Sequence, residues 1–163
     1  DIEVVVAKFF DYRSNVIVPN VSWGLGLKYE ADMVVLRQSD YAAEIEIKCT
    51  ASDIRADLRK RHQHDSAYFR ELWFAVPTRL AVHPDIPKRA GILAIDEHAD
   101  HRLVARIVRR PKHRPKALRW PEAKRMKLTE LGCMRIWTLK QHLSTQKARN
   151  QQKQEHEHAG AKP

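Results

Sequence analysis

The alternation of apolar and polar residues at positions 44–48 predicts a β-strand. The segment reads Glu-Ile-Glu-Ile-Lys. Because side chains alternate between the two faces of a strand, Ile45 and Ile47 face a core while the charged residues share the opposite face. A second apolar run lies just upstream at 33–36, and the short polar link 38–40 joins the two. This layout is typical of a β-hairpin.

The hairpin places two acidic residues opposite each other. If its turn is centred on Ser39, Asp32 lies directly across from Glu46, and like charges at such positions destabilise a pair of strands. A register shifted by one residue would turn Asp32 toward the apolar face, which is less favourable still. A bound cation would relieve the repulsion, because Mg²⁺ is often held by one or two carboxylates together with water.

Lys48 shares the polar face with Glu46 and would lie beside such an ion. There an ammonium group can orient or help deprotonate a water molecule, or neutralise charge that develops on a phosphate. The alternative interpretation is an amphipathic strand whose polar face is solvated and holds no metal.

The remaining apolar runs predict further helices and strands. Residues 72–77 and 91–96 are almost continuously apolar, as in central strands that are buried on both faces. Apolar residues recur at helical spacing after Pro121, which suits the first turn of a helix. Residues 2–10 contain three consecutive valines, as in a strand, but their apolar residues also fit helical spacing, and we favour the helix. The predicted strands outside the hairpin are 16–20, 72–77, 91–96 and 103–108, and the predicted helices are 2–10, 54–62 and 121–142, with one short helix between 78 and 90.

The length of 163 residues suits one domain with a proper core. We expect that domain to span 1–143 and a polar, flexible tail to follow at 144–163, where apolar residues are almost absent. No apolar run approaches the roughly 20 residues that cross a bilayer, and no secretory signal is evident, so we expect no membrane partner. Cys49 and Cys133 belong to no metal-binding motif, which argues against structural zinc and fits a cytoplasmic location.

Positive charge is concentrated in one segment. The chain has a net charge of +10, and residues 102–127 contain eleven basic residues and one acid, an excess equal to the charge of the whole chain. Such a segment predicts contacts with phosphates, where counterion release drives binding. A solubilising surface and an interface for an acidic protein are the alternatives. The candidate nucleic-acid contacts in this segment are Arg109, Arg110, Lys112, Arg114 and Lys116.

The second predicted helix supplies further candidates. His62 and His64 are candidate proton carriers or phosphate contacts, and His62 is a candidate contact with nucleic acid. A histidine at a protein surface commonly has neither role, so each assignment depends on what surrounds the ring.

The pattern Asp32…Glu46-Ile47-Lys48 resembles the signature of the PD-(D/E)XK nuclease superfamily, an Asp followed by Glu-x-Lys on the next strand. Over about residues 1–96, the predicted order of helix, strand, strand, Glu-x-Lys strand, helix and strand is similar to the common core of that superfamily. Further blocks resemble the MmcB-like DNA-repair endonucleases and related phage proteins. These blocks are residues 44–48, 52–57, Lys60, 74–77 and 90–93.

The resemblance implies a fold and an activity. The fold would be α/β with a restriction-endonuclease-like core, a central mixed β-sheet flanked by helices. The activity would be Mg²⁺-dependent or Mn²⁺-dependent endonucleolytic hydrolysis of DNA, in DNA repair or phage DNA processing. A homodimer would supply the two sites needed to cut both strands. A nucleic-acid-binding module that keeps the nuclease fold without cleavage is the alternative function.

The resemblance also implies roles for individual residues. Asp32 and Glu46 would hold the metal together with the carbonyl of Ile47, and Lys48 would lie at the attacking water. Glu3, on the first helix, would complete the catalytic set and the metal shell. The proline that usually precedes the first Asp is absent, since Ala31 stands there, and Lys60 would lie near the phosphate.

Overall fold

A computed structural model of the chain describes residues 2–22, 24–59 and 64–160. The predicted contacts Lys60 and His62 lie outside these described residues. The helices are α1 (Ile2–Phe9), α2 (Ala51–Leu58) and α3 (Glu122–Gly160), with a short 3₁₀ helix at Thr78–Leu80. The strands are β1 (Val16–Val21), β2 (Ala31–Leu36), β3 (Ala42–Ile47), β4 (Phe69–Pro77), β5 (Gly91–Glu97) and β6 (Leu103–Arg109).

The six strands form one mixed sheet in which the spatial order follows the sequence. β1, β2 and β3 are antiparallel neighbours, β3, β4 and β5 run parallel, and β6 is antiparallel to β5. Each parallel pair requires a crossover connection, which α2 supplies between β3 and β4. The predicted α/β architecture, a central mixed sheet flanked by helices, is confirmed.

The hairpin of β2 and β3 has the predicted register. Met33 pairs with Ile45 and Val34 with Glu44, as expected for a turn centred on Ser39. Burial fixes this register, because a shift of one residue would place Asp32 on the face of Ile45, in the apolar core.

One face of the sheet is covered by α1. Val6 and Phe10 pack against Met33, Ile45 and Trp73 in a single buried cluster. The alternate residues of β2, β3 and β4 therefore face this helix, which accounts for the apolar half of the alternation in the sequence.

The opposite face is covered in two separate places. The start of α3, including Leu128, packs over β1 and β2. The helix α2 and the connection after β4 pack over β4 and β5, around Phe74. β3 lies between these two apolar clusters, and on this face it carries Glu44 and Glu46, with Lys48 directly after the strand. We refer to Glu44, Glu46 and Lys48 as the polar strip.

The boundaries of several elements, among them β1, α2 and α3, differ from those predicted. β1 continues through Pro19 to Val21, which an edge strand tolerates because the missing N–H need not pair. Helix α2 ends at Leu58, with Arg59 as its C-cap. Helix α3 continues to Gly160, past the predicted end near His142 and across the predicted boundary between domain and tail. Its distal half is rich in Gln, Lys, Glu and Ala, which favour helix without any apolar stripe.

Within the described residues, no helix combines the length and the apolar character that crossing a membrane requires. The thiols of Cys49 and Cys133 are both free and exposed.

We expect the Gly91→Ala substitution to lower the free energy of unfolding by about 1–3 kcal/mol, the usual penalty for overpacking a core. A Cβ atom at Gly91 would lie 2.4 Å from Cε3 of Trp73, so the indole or the strand must move. Urea unfolding measures the change, with Val104→Ala on the exposed side of β6 as a control expected to change stability by less than about 0.5 kcal/mol. Equal stability of Gly91→Ala and wild type would contradict the packing described here.

Candidate functional site

The hairpin brings the predicted catalytic residues Asp32, Glu46 and Lys48 into direct contact. Lys48 Nζ donates a hydrogen bond to Asp32 Oδ2 at 3.1 Å and another to Glu46 Oε2. It also lies 3.5 Å from Oδ1 of Asp57, on α2. Asp32 Oδ2 accepts a further hydrogen bond from the backbone N–H of Ile47, at 2.8 Å. One ammonium group therefore links the carboxylates of three different elements.

The polar strip is buried, so the solvated polar face that was the alternative interpretation is wrong. Glu44 and Glu46 are 0% exposed and Lys48 is 6% exposed. The two apolar clusters on either side of β3 bring α2 and α3 over the sheet, and this arrangement removes the strip from solvent. Buried charges are retained in proteins when they are paired and hydrogen-bonded.

Asp32 connects this buried group to solvent. Its side chain is 35% exposed and lines a cleft of about 360 Å³ together with Glu3 and Ile47. Ile2, Asn20 and Cys49 complete the lining. The structure thus places Glu3, Asp32 and Ile47, which the sequence analysis assigned to one metal shell, around one cleft.

The pKa values of the buried groups reflect their surroundings. Burial, together with the charge of Asp32, raises the pKa of Glu46 to about 7, although Lys48 opposes the shift. Burial disfavours the ammonium form of Lys48, but the neighbouring carboxylates of Glu46, Asp32 and Asp57 outweigh it and raise the pKa of Lys48 above its usual value. Lys48 is therefore a fixed positive charge in the arrangement described here.

A second group of polar side chains lies deeper along the polar strip, and the sequence analysis gave Glu44 and Tyr29 no role. His64 Nδ1 lies 2.7 Å from Glu44 Oε1 and 3.7 Å from Glu46 Oε1. Its other ring nitrogen, Nε2, lies 2.6 Å from Asp57 Oδ2. The hydroxyl of Tyr29 donates to Glu44 Oε2 at 2.9 Å.

His64, a candidate proton carrier or phosphate contact in the sequence, is buried. It is 2% exposed and adopts a left-handed backbone conformation, with φ of 56°, beyond the end of α2. Burial opposes protonation, but the hydrogen bonds to Asp57 and Glu44 outweigh it and raise the pKa of His64 to about 9. The only sequence signal for this group was the position of Glu44 on the same strand face as Glu46.

The basic residues predicted to contact nucleic acid fall into two kinds. Arg109 donates to the carbonyls of Ala90 and Pro87, at 2.8 and 2.7 Å, and Arg114 pairs with Asp65 at 2.6 Å. These two guanidinium groups support loops of the protein. The side chains of the other three candidates are exposed, namely Arg110, Lys112 and Lys116.

The loop that carries these residues does not lie around the Asp32 cleft. Its backbone N–H groups at Lys112, Arg114 and Trp120 donate to the carbonyls of Arg89, Arg70 and Asp40, which lie at or just before the starts of β5, β4 and β3. Asp32 and Ile47 lie at the other end of the sheet, and a strand of six residues spans roughly 20 Å. Of the basic segment 102–127, which we expect to contact phosphates, the loop at 110–120 therefore lies at the far end of the sheet from the Asp32 cleft.

A second cleft lies beside His64 and Asp57, next to the polar strip. It has a volume of about 280 Å³ and is lined by Asp57, Leu58, His64, Pro87 and Arg89. The guanidinium of Arg89 donates to the carbonyl of His64 at 2.8 Å. The buried carboxylates therefore have a basic residue at each end, Lys48 toward the Asp32 cleft and Arg89 toward the loop.

Comparison with known proteins identifies the fold alone. No protein-family model matches the chain, and no curated protein matches it. A solved structure matches, that of the SPO1766 protein of unknown function from Silicibacter pomeroyi, with a TM-score of 0.60 and 21% sequence identity over 86% of each chain. The chain is therefore similar in fold to this protein across most of its length.

Proposed function

We propose that the protein is a metal-dependent endonuclease that hydrolyses phosphodiester bonds of DNA. The observation that carries the proposal is the convergence of Asp32, Glu46 and Lys48 at a cleft that also contains Glu3 and Ile47. The order α1-β1-β2-β3-α2-β4 also agrees with the core of the PD-(D/E)XK nucleases, which the Asp…Glu-x-Lys motif resembles.

The donor atoms fit Mg²⁺ or Mn²⁺. Asp32 and Glu46 offer carboxylate oxygens, and hard divalent cations take oxygen ligands. Their oxygens already converge on a cation, the ammonium of Lys48. Asp32 is reachable from solvent through the cleft, whereas Glu46 is buried. An ion bound between them would therefore have water ligands on the solvent side and carboxylate ligands on the protein side. Ile47 and Glu3 at the same cleft would complete the ligand set.

Hydrolysis would depend on the bound metal and on Lys48. When bound, Mg²⁺ would supply Lewis-acid polarisation of the phosphate and lower the pKa of a water molecule. A water molecule would lose one proton to solvent as its oxygen forms a bond to phosphorus. The bond from phosphorus to the leaving sugar oxygen would break, and that oxygen would take up a proton from solvent. Lys48, held by Glu46 and Asp32, would stabilise the negative charge that develops on the phosphate oxygens.

DNA would be held by exposed basic residues of the loop before α3. We expect the triple substitution of Arg110, Lys112 and Lys116 by alanine to reduce the slope of log K against log salt by about 2–3, since each phosphate contact contributes about 0.9. Fluorescence anisotropy of duplex DNA over a range of salt concentrations measures the slope. An equal loss of charge from the exposed half of α3, K140A/K147A/R149A, is the control and should leave the slope nearly unchanged.

The location of the basic loop favours one alternative function. Because the loop lies at the opposite end of the parallel strands from Asp32, it can bind nucleic acid without presenting a phosphate to Lys48. The protein would then be a nucleic-acid-binding module on a nuclease fold, with the buried carboxylates serving only stability.

Cleavage assays distinguish the two functions. Supercoiled plasmid, branched duplex and single-stranded DNA are incubated with the protein in Mg²⁺, in Mn²⁺ and in excess chelator. The nuclease proposal predicts cutting of at least one substrate with either metal and none with chelator. Salt-dependent binding without cutting of any substrate would leave the binding module as the function.

A further inference from the structure

We propose that Glu44, Glu46 and His64 form a second metal site, for a transition-metal dication such as Zn²⁺. The site lies in the polar strip, between the two apolar clusters and away from the Asp32 cleft. It goes beyond the proposed nuclease function, because it requires no DNA and no participation of Asp32.

The donor atoms of the three residues already converge. One carboxylate oxygen from each glutamate and one ring nitrogen of His64 lie within 4.8 Å of one another, and all three residues are buried. Ligand atoms about 2.0–2.2 Å from a zinc ion lie roughly 3.4 Å apart in a tetrahedral shell. Small rotations of the side chains would therefore close the present arrangement around an ion.

Each prospective ligand is oriented by an outer partner, and this is the second observation that indicates a metal. Asp57 contacts Nε2 of His64 and leaves Nδ1 to face the glutamates. Tyr29 donates to Glu44. Lys48 contacts Glu46. Metal-binding histidines almost always pair their other ring nitrogen with a carboxylate, a carbonyl or water, and ligating carboxylates are hydrogen-bonded in turn.

The donor set selects the type of ion. An imidazole with two carboxylates suits Zn²⁺ and related transition metals, whereas Mg²⁺ takes oxygen ligands. In the structure described here, a hydrogen bond joins Nδ1 of His64 to Glu44, and the cation would take the place of the shared proton. Arg89 holds the carbonyl of His64 at 2.8 Å and would keep the ring in position during that exchange.

Glu46 belongs to both metal sites. Its Oε2 faces Lys48, and its Oε1 faces His64 at 3.7 Å. A carboxylate with its two oxygens directed to opposite sides can bridge two ions. If the Asp32 cleft also holds a cation, Glu46 would connect the two.

The test measures Zn²⁺ binding by metal-free protein at fixed pH, using isothermal titration and metal analysis after gel filtration. Exposed thiols and the histidine pair near the C-terminus would bind zinc by themselves. All variants therefore carry the same background substitutions, which are Cys49→Ser, Cys133→Ser, His156→Ala and His158→Ala. This background protein is expected to bind one Zn²⁺ per chain and to melt at a higher temperature when Zn²⁺ is present.

Three variants remove parts of the site. Loss of an outer partner typically lowers metal affinity about 10–100-fold. Glu44→Gln and His64→Gln remove ligands, so each should lower Zn²⁺ affinity by more than that. Tyr29→Phe removes such a partner and should fall within that range. His83→Gln is the matched control, since His83 lies outside the site, and its affinity should equal that of the background protein. Asp32→Asn should also retain Zn²⁺, which separates this proposal from the nuclease proposal.

Two results would overturn the proposal. One is a folded background protein that binds no Zn²⁺. The other is Glu44→Gln protein that binds Zn²⁺ as tightly as the background protein does. Glutamine has nearly the shape of glutamate and can still accept the hydrogen bond from Tyr29, so we expect the Glu44→Gln protein to fold. This variant therefore tests the metal site even if His64→Gln does not fold.

Discussion

Replacing Lys48 with methionine is expected to lower the rate of Mg²⁺-dependent DNA cleavage by about 10²–10³-fold, the effect of removing one preorganised charge stabiliser from an active site. The ammonium group is fixed between Asp32 and Glu46, so its removal takes away the positive charge that lies between the two carboxylates. Methionine retains most of the volume of the side chain and removes its charge and its hydrogen bonds to Asp32 and Glu46. Single-turnover nicking of supercoiled plasmid measures the rate.

The matched control is Lys8→Met, which removes an exposed lysine from α1 and should retain the wild-type rate. Because the Lys48 variant is less stable, the folded fraction is measured under the conditions of the assay and the rate is expressed per folded molecule. A Lys48→Met rate within about threefold of wild type would exclude Lys48 from the chemistry.

The same substitution is expected to lower the free energy of unfolding by about 3–5 kcal/mol in the absence of metal, because removing one partner from a buried ion pair leaves uncompensated charge. Lys48 contacts three carboxylates, of which Glu46 is fully buried and Asp57 nearly so. Urea unfolding in chelator measures the loss as a shift of the midpoint.

A second substitution tests the cause of that loss. Adding Glu46→Gln to Lys48→Met removes one of the uncompensated charges, so the double variant should be more stable than Lys48→Met alone. If the double variant is less stable than the single variant, with the two losses additive, then packing and not charge explains the contribution of Lys48.

The hairpin could be predicted from the sequence because local features determine it. The alternation in 44–48, the apolar run at 33–36 and the short polar link leave one register that buries the apolar face. That register fixes the contact of Asp32 with Lys48 and Glu46. The central strands were equally evident, since continuous apolar runs such as 72–77 indicate burial on both faces.

The burial of the polar strip could not be predicted in this way. Glu44 and Glu46 alternate with isoleucines, and the same pattern describes a strand with one solvated face. What buries them is supplied by distant parts of the chain, namely Tyr29 before β2, Asp57 on α2 and His64 after it. A sequence pattern of period two carries no information about such partners.

The position of the basic loop could not be predicted from amino-acid composition either. The charge of residues 102–127 is visible in the sequence. Which end of the strands the basic loop lies against depends on its backbone hydrogen bonds to Arg89, Arg70 and Asp40. Arg109 and Arg114 were predicted from the sequence to contact phosphates. In the structure, Arg109 donates a hydrogen bond to the carbonyl of Ala90 and Arg114 forms an ion pair with Asp65.

The central claim is that Asp32 and Glu46 hold a divalent cation with which the protein cuts DNA. Nicking of supercoiled plasmid in Mg²⁺, with wild type and Asp32→Asn protein side by side and DNA binding measured in parallel, tests it most directly. We expect that wild type nicks the plasmid, that chelator stops it, and that Asp32→Asn binds DNA normally but cuts at least about 10²-fold more slowly. Equal rates for the two proteins, or binding by both with no cutting by either, would contradict it.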